Sequence, residues 1–119
     1  MHLNFASSFL FLVPAVLAWR DSPVFWGTSC DLATSLAYHG SHAAWARTLD
    51  LCVCGGCMTY FMWDRAAATW RYGAAAACVA AVIGIWRFRS HKDDEGAEVW
   101  HSAVHAISSA GVCLIANKC

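Results

Sequence analysis

Five long apolar runs, separated by short polar turns, occupy most of this 119-residue sequence. An α-helix needs about 20 apolar residues to cross the hydrocarbon core of a bilayer, and the runs approach or reach that length. Hydrophobic residues make up 59% of the chain and charged residues 13%, which is about half the charged share of soluble proteins. The sequence therefore predicts an all-α fold, a multi-pass transmembrane bundle of about five spanning helices, forming a single integral membrane domain over residues 1–119. The runs are 3–19, 24–39, 43–63, 66–86 and 97–116.

Composition and charge exclude several other classes of protein. The formal net charge is zero, so there is no basic excess for a nucleic-acid partner. Lysine and arginine divide evenly between the two ends of the predicted helices, and the sequence predicts neither orientation nor organelle. The first run could also be a signal peptide, but its start carries no Lys or Arg, which the usual pattern requires. The seven cysteines lie mostly within apolar runs and are interpreted as packing residues rather than as disulfides or a zinc ribbon.

Two histidines stand at the start of the last apolar run. His101 and His105 are four residues apart, so on a helix they share one face and lie about 6 Å apart along its axis. Both imidazoles can then reach one metal ion. Ionisable groups are costly inside a membrane and usually mark a functional site, so the pair predicts a metal centre that needs further ligands.

The other ligands are expected from the second and third runs. Asp31, Ser35 and His39 recur every four residues and predict a narrow polar stripe that faces the bundle interior. Because successive spanning helices alternate in direction, the end of the second run and the starts of the third and fifth runs lie together. We call this the histidine end of the bundle. His39, Asp50 and His101 then share one depth, and Ser35 and His105 lie one turn deeper.

Three neutral imidazoles with an open fourth position are a common catalytic zinc site. The predicted Zn²⁺ ligands are His39, His101 and His105. The ion would activate a water molecule and polarise a substrate carbonyl, so the predicted reaction is hydrolysis of an amide or ester bond in a membrane lipid. Asp50 is predicted to accept a proton or to orient a histidine. Ser35 is predicted to hydrogen-bond the water or the oxyanion that forms.

Simpler explanations exist for each residue taken alone. Ser35 could bond back to its own helix, and Asp50 could pair with Arg47 one turn earlier. Two other functions are also compatible with the histidines: a structural metal site in a protein of membrane remodelling, fusion or complex assembly, and a haem site between helices. Gly55 and Gly56 favour close helix packing, within the chain or in a helix–helix oligomer. No specific role is predicted for Asp31.

The pattern resembles the signature of the CREST superfamily, which comprises alkaline ceramidases, progestin and adiponectin receptors, Per1-like proteins and the myomaker group. Ser35-Leu-Ala-Tyr-His39 is similar to its Ser-x-x-x-His motif, and Asp50 to its aspartate early in the third helix. His101-Ser-Ala-Val-His105 is similar to its last-helix His-x-x-x-His. Members are helical membrane proteins, and several are zinc-dependent hydrolases of lipid amides or esters. The resemblance implies the same fold and activity here.

Within the superfamily, the sequence is most similar to the myomaker and transmembrane protein 8 group, on the basis of the segment 49–58 and of His101-Ser102. Two departures stand out. The family typically has seven spanning helices, and loss of two between the third and the last would preserve the alternation of direction. The first run also lacks an acidic residue where ceramidases place a calcium ligand, which disfavours a ceramidase.

Overall fold

The computed structural model describes residues 3–90 and 95–116, and every regular element in these ranges is helical. The predicted all-α class is therefore confirmed. A 3₁₀ turn, Phe9–Phe11, joins α1 to α2, and a π-helical turn, Trp86–Ser90, follows α5. None of the helices in the described ranges combines the length and the hydropathy expected of a membrane span. The α-helices are α1 (Leu3–Ser8), α2 (Leu12–Leu17), α3 (Ser22–Ser41), α4 (Ala44–Asp64), α5 (Trp70–Ile85) and α6 (Glu95–Ile115).

Several boundaries differ from those predicted. The first run is not one α-helix, because Pro14 has no N–H to donate to the preceding turn, and the chain tightens into the 3₁₀ turn just before it. α5 begins four residues late, since Thr69 caps it by accepting a hydrogen bond from the Tyr72 N–H at 3.3 Å. The polar segment between the fourth and fifth runs, 87–96, was expected as a turn but is helical at both ends, through Ser90 and from Glu95. Its centre, 91–94, and the terminal 117–119 lie outside the described residues.

The helices form two hairpins with the N-terminal segment between them. α3 packs on α4, and α5 packs on α6, whereas α4 and α5 contact each other at few positions. The segment from α1 through α2 contacts both α3 and α6. His42 makes the tight turn between α3 and α4, with φ of 55° and its N–H donating to the Tyr38 carbonyl at 2.7 Å. The two hairpins therefore diverge on the side of α4 and α5 and leave a cavity there.

The end of the bundle opposite the histidines is packed by apolar side chains, and we call it the closing end. The Phe61 ring lies directly over Gly27, where an added Cβ would be 2.6 Å from Phe61 Cζ, so only glycine allows this contact. A buried ion pair between Asp21 and Arg65 joins the start of α3 to the end of α4. The buried apolar residues of this end are Ala18, Val24, Phe61, Ala75, Ile115 and Ala116.

Two packing predictions need correction. A Cβ added at Gly55 or Gly56 would meet no described atom within 4 Å, so the predicted close helix contacts at these glycines are wrong within the chain. The reason is that Gly55 borders the cavity and Gly56 is exposed, instead of either packing on α5. Among the cysteines in the described ranges none forms a disulfide, and Cys30 and Cys52 are exposed rather than packed inside.

Candidate metal centre

Three imidazoles meet at the histidine end. The ring centroids of His39 and His101 are 4.9 Å apart, those of His39 and His105 are 5.3 Å apart, and those of His101 and His105 are 4.8 Å apart. One nitrogen from each ring can be chosen so that all three lie within 4.8 Å of one another. His39 and His105 are buried and His101 is half-buried. The structure thus brings the three predicted ligands together from α3 and α6.

The spacing of these nitrogens suits a tetrahedral zinc ion. Zinc binds imidazole nitrogen at about 2.0–2.1 Å, which places two tetrahedral ligand atoms about 3.3 Å apart. The Nε2 atoms of His39 and His101 are 3.2 Å apart. The His105 nitrogen lies within 4.8 Å of the other two, so it must move closer for all three to bind one tetrahedral ion. The donor set, three neutral imidazoles, is one that zinc accepts with its fourth position open.

The predicted polar stripe on α3 faces inward, as expected. Asp31, Ser35 and His39 are all buried, and they continue a stripe that starts with Val24 and Thr28. These positions are three or four residues apart, so they share one face of a helix with 3.6 residues per turn. That face packs on α4 and on the N-terminal segment, and at its end His39 reaches the last-helix residue His101.

Ser35 and Asp50 form a hydrogen-bonded pair. The Ser35 hydroxyl donates to Asp50 Oδ1 at 2.9 Å, and the Thr34 hydroxyl donates to the same oxygen at 2.9 Å. The Cys54 thiol lies 3.7 Å from it. The described partners of Asp50 are therefore hydroxyls and a thiol rather than Arg47, and Ser35 reaches across to α4 instead of back to α3. Thr34 was not predicted, and its only sequence signal was its place beside Ser35.

A residue of the first run, Ser7, also belongs to the centre and was missed. Its Oγ lies 2.7 Å from Nδ1 of His105 and donates to the Asn4 carbonyl at 3.2 Å. Both contacts are satisfied at once when His105 carries its proton on Nδ1 and donates to Ser7, because the hydroxyl proton then goes to the Asn4 carbonyl. The Nε2 lone pair of His105 is then available to a metal, and Ser7 fixes the ring as supporting hydrogen bonds do in metal sites.

Two further hydrogen bonds fasten the N-terminal segment to α6. The Ser102 hydroxyl donates to Asn4 Oδ1 at 3.1 Å, and the Leu3 N–H donates to the Glu98 carboxylate. Together with the Ser7–His105 contact, they show that α1 runs parallel to the first half of α6, because the paired positions ascend along both helices. The alternation rule places the start of the first run at the histidine end, so the polar residues Asn4 and Ser7 were a usable signal for this role.

A cavity of about 400 Å³ lies between the hairpins, within the size range of small-molecule sites. Most of its wall is apolar, from side chains of α4, α5 and α6 such as Met58, Val82 and Val104. An apolar cavity with a few polar groups on its wall suits a lipid chain better than a polar metabolite. The polar residues that line it are Asp31, Ser35, Asp50, Cys54, Cys78, His101, His105 and Ser108.

Comparisons with models of known families, with curated proteins and with solved structures find no match for this chain. The centre is therefore described by its own residues and geometry. Metal binding by the three histidines stays a prediction.

Proposed function

We propose that this chain is a zinc-dependent integral membrane hydrolase that cleaves an amide or ester bond of a lipid. The observation that carries the proposal is the meeting of His39, His101 and His105 beside a hydrogen-bonded Ser35–Asp50 pair that lines an apolar cavity. The histidines are the metal ligands, the pair handles protons and the oxyanion, and the cavity takes the lipid chain.

The residues of the site divide the reaction between them. A zinc ion held by the three imidazoles would activate water as a nucleophile and polarise the substrate carbonyl. Asp50, which lines the same cavity as His101, takes a proton from the attacking water and returns it to the leaving amine or alcohol. Thr34 keeps the carboxylate oriented when the Ser35 hydroxyl turns from Asp50 to the oxyanion.

Exposed apolar surface supports the membrane part of the proposal. α3, α4 and α6 have 20 or 21 residues, and at 1.5 Å per residue such helices are about 30 Å long, the thickness of the hydrocarbon core. Many large apolar side chains are exposed, among them Trp45 at 67%, Trp63 at 85% and Trp70 at 75%. Trp45 is the second residue of α4, Trp63 is next to its last residue and Trp70 is the first residue of α5. These are the helix-end positions where tryptophan anchors membrane proteins.

We infer from the same residues that the chain belongs with the CREST superfamily, in a shortened form closest to the myomaker and transmembrane protein 8 group. Support comes from the order Ser-x-x-x-His, Asp, His-x-x-x-His together with the spatial meeting of those residues. A haem site is less compatible, because a haem plane between His39 and a last-helix histidine would separate nitrogens that are in contact at 3.2 Å.

Hydrolysis is tested by fatty-acid release from a panel of amide and ester lipids in detergent micelles. Chelation should abolish release and added zinc should restore it. Asp50→Asn should lower turnover by about 10²–10⁴-fold, the usual contribution of a general acid–base residue, with bound zinc retained. Asp64→Asn is the matched control, because Asp64 lies at the closing end of α4 and is half-exposed.

Two results would contradict the proposed activity. One is turnover that resists chelation and survives Asp50→Asn. The other is stoichiometric zinc without turnover of any lipid in the panel, together with thermal stability that depends on zinc. The second result would favour a structural metal site in membrane remodelling or assembly.

A further inference from the structure

Asp31 is a buried carboxyl group that the proposed reaction does not use. It lies one turn before Ser35 on the buried stripe of α3 and is only 6% exposed. It lines the same cavity as Ser35 and Asp50. Carboxyl groups in such surroundings are costly unless their oxygens accept or donate hydrogen bonds.

The partners of Asp31 leave one oxygen unsatisfied. The thiols of Cys54 and Cys57 on α4 lie against the carboxyl group, and thiols are weak donors. Oδ1 has no hydrogen-bond partner among the residues that the structure describes. The histidine ligands, by comparison, are held in a network that includes Ser7. Because Asp31 lines the apolar cavity, a polar group of the molecule that fills this cavity can supply the hydrogen bond that the carboxyl group lacks.

We propose that Asp31 recognises a hydroxyl group of the lipid that occupies the cavity, and thereby selects hydroxyl-bearing lipids. This inference rests on the proposed function for the nature of the ligand. A hydroxyl group suits the site because it can donate to a carboxylate and also accept from a carboxylic acid. An ammonium group can only donate, and it would carry its own charge into an almost wholly apolar cavity.

The position of Asp31 also says where that hydroxyl lies. On α3 it is four residues from Ser35 and eight from His39, so it stands about 6 Å deeper than Ser35 and about 12 Å deeper than His39 along the helix axis. A lipid with its scissile bond at the histidines would therefore present to Asp31 a hydroxyl that lies about 12 Å further along its chain. Recognition and cleavage would occur at different depths of one cavity.

The experiment measures binding of two amphiphiles that no hydrolase can cleave, the dodecyl ether of ethylene glycol and its O-methyl derivative. Titration calorimetry of the full-length purified protein in micelles gives both affinities. Wild type should bind the compound with the free hydroxyl about tenfold more tightly than its methyl ether, because the methyl ether cannot donate a hydrogen bond and leaves the Asp31 carboxyl group unpaired. Asp31→Leu should bring the ratio close to one. Asp31→Asn, which can still hydrogen-bond, should keep part of the preference.

Asp64→Asn serves as the control and should keep the wild-type ratio. Equal binding of the two ethers by wild type, or a preference that survives Asp31→Leu, would overturn the inference. Tighter binding of the matching ether of ethanolamine would also overturn it, in favour of a cation subsite. Neither ether contains an amide or ester bond, so their binding does not depend on hydrolysis. Absence of zinc or of turnover would therefore count against the proposed function, and the binding ratio would still test the role of Asp31. Helix content of each variant, measured by circular dichroism, shows that it has folded.

Discussion

The two ends of this bundle bury different kinds of residue, apolar at one end and polar at the other. At the closing end, Phe61 packs on Gly27 and apolar residues from four helices exclude polar atoms, with the Asp21–Arg65 pair as the buried ionic contact described there. At the histidine end, buried positions are given to imidazoles, a carboxylate and hydroxyls that hydrogen-bond to one another.

The difference teaches where stability and chemistry reside. Packed apolar groups stabilise a fold directly, whereas buried polar groups are costly unless fully paired. A chain of this size that keeps Ser35, His39, Asp50 and His105 at 6% exposure or less gives up stability at one end, which is typical of functional sites. Substitutions at the closing end should therefore lower the free energy of unfolding without changing zinc affinity. Substitutions at the histidine end should lower zinc affinity with little change in the free energy of unfolding.

The largest effect on stability is expected from Phe61→Ala. The ring is 3% exposed, and its loss leaves a void over Gly27 that should cost about 3–5 kcal/mol. The unfolding free energy in detergent measures this loss, while the folded fraction should bind zinc as wild type does. Trp63→Ala is the control, since that side chain is 85% exposed. A loss of zinc from folded Phe61→Ala protein would show that the two ends are not separate.

Ser7→Ala tests the histidine end. Removal of the hydroxyl that holds His105 Nδ1 should weaken zinc binding by about 10–100-fold, the usual effect of losing a supporting hydrogen bond. Competition with a chelating dye measures the affinity. Ser8→Ala is closely matched, because Ser8 is also buried and also donates to the Asn4 carbonyl but has no described contact with His105. Equal zinc affinity of the two variants would remove Ser7 from the centre.

The smallest effect is expected from Thr69→Ala, which removes the cap of α5 at the closing end. Loss of an N-cap typically costs about 1 kcal/mol. The midpoint of thermal unfolding should fall slightly, with zinc content and lipid turnover unchanged. Turnover that falls while stability is kept would place α5 in the reaction rather than in the packing.

Much of this fold could be predicted because helices and apolar runs coincide. The α3 stripe was predictable from its four-residue spacing, and the meeting of His39 and His101 followed from alternation of direction. Asp50 was expected at the same depth, but its hydrogen bond is to Ser35, one turn from His39. Ser7 was missed because serines near a chain start are common, although the same alternation of direction would have placed it at the histidine end. The contacts of Gly55 and Gly56 could not be predicted, since helical spacing says nothing about which neighbour a face meets.

Asp31 marks another limit of the sequence. Its inward orientation was predictable from the stripe, but its unsatisfied oxygen depends on which α4 side chains oppose it. Those are Cys54 and Cys57, and either a hydroxyl or an amide at these positions would have paired the carboxyl group. Which α4 side chains oppose Asp31 depends on the relative rotation of α3 and α4, and that rotation is set by tertiary packing.

The most direct test of the central claim is metal analysis of the purified full-length protein. We expect one zinc per chain and a zinc-edge X-ray absorption spectrum with three nitrogen neighbours at about 2.0 Å. His101→Ala combined with His105→Ala should remove the metal, and His42→Ala, at an exposed histidine just beyond α3, should retain it. Absence of stoichiometric zinc from the wild-type protein, or zinc retained after loss of His101 and His105, would contradict the account.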